Sequence, residues 1–76
     1  MPATQERYYE MLMERVREDR YPSLQLLDRI EAAIFTSEQF SEYLEMLVEK
    51  ADQSWYMSPQ LLDRIQRLLA FAAMAA

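Results

Sequence analysis

The hexapeptide Gln-Leu-Leu-Asp-Arg-Ile occurs twice in this chain of 76 residues, at 25–30 and again at 60–65. A phrase repeated at a spacing of 35 asks for one supersecondary unit used twice, which narrows the possible folds more than any single residue does. The match extends upstream. Tyr8, Glu10, Met11, Leu12 and Glu14 recur as Tyr43, Glu45, Met46, Leu47 and Glu49. Tyr21 and Ser23 recur as Tyr56 and Ser58, and Met13/Val48 and Arg15/Lys50 are conservative pairs in the same register. We read 1–35 and 36–70 as two copies of one unit, followed by an apolar extension over 71–76, all within a single helical domain.

Each copy reads as two helices. Apolar residues fall at Tyr8, Tyr9, Leu12, Met13 and Val16 in the first, and at Tyr43, Leu44, Leu47, Val48 and Ala51 in its counterpart, with Phe40 one turn earlier. The second helices carry Leu26, Leu27, Ile30, Ala33 and Ile34, matched by Leu61, Leu62, Ile65, Leu68 and Leu69. Both patterns have the three-and-four spacing of one helix face and lack the alternation of a strand. Met11 and Met46 lie beside these stripes and suit edge packing.

Punctuation agrees with this division. Ser23 and Ser58 stand where an N-cap belongs, and Pro59 follows at a position where a missing N–H costs nothing. Pro22 holds Tyr21 extended and so ends the helix before it. Thr36 with Gln39 forms a capping box, and Thr4 is a candidate first cap. The spacing predicts helices over about 4–19, 23–35, 37–53 and 58–74. The expected fold is all-α: two tandem αα-hairpins of about 35 residues forming a small four-helix bundle, with a two-hairpin solenoid as the other packing.

Composition excludes several functions. There is no Cys and no His, so disulfides, thiolate or imidazole metal sites and the common nucleophile–base pairs are unavailable. There is no Gly, which removes phosphate-cradling loops. A net charge of -5 disfavours direct contact with nucleic acid or anionic membrane. The longest apolar run, Leu68–Ala76, is nine residues, against the roughly 20 needed to span a bilayer. No signal-peptide pattern opens the chain, so a soluble cytoplasmic protein without a cofactor is expected.

Four features remain. On the third helix Glu38, Glu42, Glu45, Glu49 and Asp52 recur at steps of four and three, which places five carboxylates along one narrow arc. After Arg67 no polar side chain follows, and a helix apolar all round wants cover. Leu68, Phe71, Ala72 and Met74 are therefore expected at a subunit or partner interface, with Trp55, which the first copy lacks, as a further contact. Tyr21 and Tyr56 suit an apolar staple over the helix that each precedes. The copied pairs Asp28-Arg29 and Asp63-Arg64 would serve reciprocal ion pairing under a pseudo-twofold axis.

The expectation is a non-enzymatic protein–protein interaction module: an adaptor, assembly factor or small chaperone-like subunit, pairing with itself as a homodimer or docked on a larger protein. The second reading is an acidic inhibitor that offers the carboxylate stripe to a basic nucleic-acid-binding protein.

Overall fold

The computed structural model describes residues 2–53 and 58–75. The fold is all-α, with four helices in chain order: α1 (Pro2–Glu18), α2 (Leu24–Ala33), α3 (Ser37–Gln53) and α4 (Pro59–Ala75). Among the described residues there is no strand. These bounds match the expected ones to within two residues.

Helix starts follow the side chains that can satisfy free backbone N–H groups. Ser23 caps α2, its hydroxyl accepting from the Leu26 N–H at 3.1 Å. Ser58 does the same for the Leu61 N–H at 3.3 Å. Thr36 accepts from the Gln39 N–H at 3.1 Å. The Gln39 side chain then reaches one residue further back than a standard box requires, to the Phe35 N–H at 2.9 Å. Thr4 is not a cap, because α1 already begins at Pro2 and Thr4 lies inside it.

Helix ends are made without left-handed residues, and no positive φ occurs among the described residues. α2 stops at Ile34, which turns extended at φ -73° and ψ 129°. α1 stops before Asp19, whose carboxylate accepts from the Tyr21 N–H at 3.0 Å and closes a turn that would otherwise invite glycine.

The chain divides into two compact units, Met1–Tyr43 and Leu44–Ala76, and the division falls inside α3 rather than at the repeat boundary. In the first unit α1 packs on α2. Its core holds Tyr9, Leu12, Met13 and Val16 from α1, Leu27 and Ile30 from α2, and Tyr43 from α3. Burying each such side chain contributes about 1.5–3 kcal/mol. In the second unit the buried side chains are Met46, Leu47, Arg64 and Ile65.

The burial corrects the expected stripes. Tyr8 and Val48 are exposed, while Met46 belongs to the core. In α1 the buried face is 9, 12, 13 and 16, whereas in α3 it is 43, 46 and 47, equivalent to 8, 11 and 12. The two faces differ by one residue, or about 100° around the helix axis. A helix buries whichever flank its neighbours cover, and periodicity reports the stripe without the neighbours.

Candidate interaction surfaces

Two tyrosines tie the first unit together. The Tyr9 hydroxyl, from α1, lies 2.8 Å from Glu42 Oε1 and 3.0 Å from the Gln39 carbonyl oxygen, both on α3. The Tyr43 hydroxyl, from α3, donates to Glu31 Oε2 and lies 3.4 Å from the Leu27 carbonyl oxygen, both on α2. Each phenol ring fills core volume while its polar tip finds a partner, which is what a buried tyrosine requires. Burial raises the Tyr9 pKa well above the ordinary tyrosine value. The hydrogen bond to Glu42 and the charge of that carboxylate push the same way, Arg17 opposes, and Glu10 adds a little.

These ties consume part of the acidic stripe. Glu42 takes the Tyr9 bond and also pairs with Arg17 at 3.5 Å. Glu38, Glu45, Glu49 and Asp52 are exposed, as expected of a solvated face. Among the described residues no group of three or more His, Cys, Asp or Glu side chains could hold a metal ion.

The end of α4 presents large apolar side chains to solvent. Phe71 is 64% exposed and Met74 88%, and Leu69, not among the expected contacts, is half exposed on the opposite side of the helix. Leu68 and Ala72 are half-buried on another flank. Phe71 and Met74, three residues apart, share one exposed face of the helix. No helix of the described residues is long and apolar enough to cross a membrane.

The remaining expected residues are placed as follows. Trp55 and Tyr56 lie outside the described residues. Tyr21 is exposed, with the Arg20 guanidinium 5.9 Å from its ring centre, so it does not fold over α2 as a staple would. Asp28, Arg29 and Asp63 are exposed, whereas Arg64 is only 9% exposed, so the two copies of Asp-Arg stand in different environments.

One surface escaped the sequence reading. Met11, Glu14, Arg15, Glu18 and Asp19, at the end of α1 and just beyond it, line an open groove with Leu26 of α2. Two of its lining side chains are apolar, three are carboxylates and one is a guanidinium. The signal was there in the Met11–Glu14–Glu18 spacing of three and four, but the apolar member looked like edge packing. No family model, no curated protein and no solved structure matches this chain.

Proposed function

We propose that this chain is a non-enzymatic protein–protein interaction module that engages its partner, or itself, through the apolar end of α4. The observation that carries this reading is the exposure of Phe71 and Met74 on one face of a helix with no polar side chain after Arg67. Covering two such side chains contributes several kcal/mol, about 1.5–3 for each one fully buried. A chain without His or Cys lacks the common nucleophile–base pairs, which weighs against catalysis. Deleting residues 70–76 and measuring mass in solution tests the reading. The expected outcome is a lower mass than that of the full chain, and an unchanged mass overturns it.

A second reading is the acidic decoy, favoured by the exposure of Glu38, Glu45, Glu49 and Asp52 on α3. It ranks below the first because Glu42, in the middle of the stripe, is already engaged by Tyr9 and Arg17. Capture of a basic partner that is lost steeply between low and high salt would put it first, since apolar docking lacks that dependence.

A further inference from the structure

On α4, Arg67, Phe71 and Met74 recur at steps of four and three, so they share one face of the helix, and all three are exposed. That face is cationic at its start and apolar at its end. On α1, Met11, Glu14 and Glu18 recur at steps of three and four, and they line the groove that Leu26 completes. This second face is apolar at its start and anionic at its end. Both stripes span seven residue steps, or about 10.5 Å of helix.

Set antiparallel, the two stripes coincide residue by residue. Arg67 falls opposite Glu18, Phe71 opposite Glu14, and Met74 opposite Met11. The single cation of the groove, Arg15, falls opposite Ala70, where it meets no charge. Ala70 and Ala73 flank the tail stripe with little bulk, which lets a helix approach closely.

We infer that the Arg67–Phe71–Met74 stripe of one copy docks antiparallel into the Met11–Glu14–Glu18 groove of a second copy. This rests on the interaction reading above and supplies its partner. Charge complementarity selects the occupant: a groove lined by three carboxylates, one guanidinium and two apolar side chains calls for a cation followed by apolar side chains, and α4 carries that sequence. The contact joins two unlike surfaces. Reciprocal exchange between two copies closes a dimer, and one-way docking builds an open chain.

Sedimentation equilibrium over a range of concentrations tests it, with far-UV circular dichroism to verify unchanged helix content. Glu18→Arg and Arg67→Glu replace exposed side chains, and each should weaken self-association on the order of five- to tenfold. The double variant, which restores opposite charges across the contact, should recover most of that loss. If both single variants associate like the parent chain while deletion of 70–76 abolishes association, the tail binds elsewhere: the groove proposal is overturned and the interaction reading stands. If the deletion also leaves the mass unchanged, both are overturned. Weakening by each single variant without recovery in the double variant rejects the Arg67–Glu18 register.

Discussion

The two copies of the repeat spell nearly the same words and bury different ones. Met11 is 44% exposed and its twin Met46 only 3%. Tyr8 is exposed and Tyr43 fully buried; Met13 is buried and Val48 exposed. Arg29 is exposed and Arg64 buried, although each sits inside the same hexapeptide. What the copies do share is punctuation: Ser23 and Ser58 cap their helices with the same bond. The matched segments therefore share local structure, which each specifies for itself, and differ in tertiary environment, which depends on what lies alongside.

Paired substitutions put numbers on that divergence. The largest contrast is expected between Met46→Ala and Met11→Ala. The first should lower the unfolding free energy by about 2–5 kcal/mol and the second by no more than about 0.5 kcal/mol. Urea midpoints measured side by side would show it, and equal shifts would mean that the faces of α1 and α3 are not turned relative to each other.

Tyr9→Phe comes next, at about 1.5 kcal/mol, since it removes a partly buried hydrogen bond to a charged group. Tyr8→Phe, one residue away and exposed, should be near neutral. The same tyrosine predicts a pH dependence. The folded chain holds the Tyr9 proton more tightly than the unfolded chain does, because its pKa is raised on folding. Above about pH 10 the unfolded state has lost that proton and the folded state keeps it, so stability declines as pH rises past this point. The alkaline limb of a stability profile should be shallower in Tyr9→Phe.

The smallest difference is expected at the caps. Ser23→Ala and Ser58→Ala should each cost about 1 kcal/mol, within a range of roughly 0.5–2, and should resemble one another. Thermal midpoints would check this, and a large inequality would show that the copies differ even in their punctuation.

The same contrast explains what could be read in advance. Helix number, type and bounds follow from Ser23, Thr36, Ser58, Pro22 and the apolar spacing, because caps and periodicity are short-range. Met46 was misplaced at a stripe edge because only the neighbouring elements decide which edge is covered. The bond from Tyr9 to Glu42 joins residues 33 positions apart and leaves no local trace. The groove was missed for a similar reason, since Leu26 meets the α1 residues only once the first hairpin closes. Tyr21 was misjudged because an aromatic before a cap packs only if its helix offers a matching apolar neighbour.

The two tyrosine ties have a consequence in the arithmetic of protons. A phenol owns one hydrogen, yet the oxygens of Tyr9 and Tyr43 each lie beside two acceptors, a carboxylate and a main-chain carbonyl. The Tyr9 hydrogen serves the Glu42 carboxylate, and a phenolate beside that carboxylate would have nothing left to give. One proton therefore holds the fastening between α1 and α3, and alkali strong enough to remove it turns two partners into two like charges.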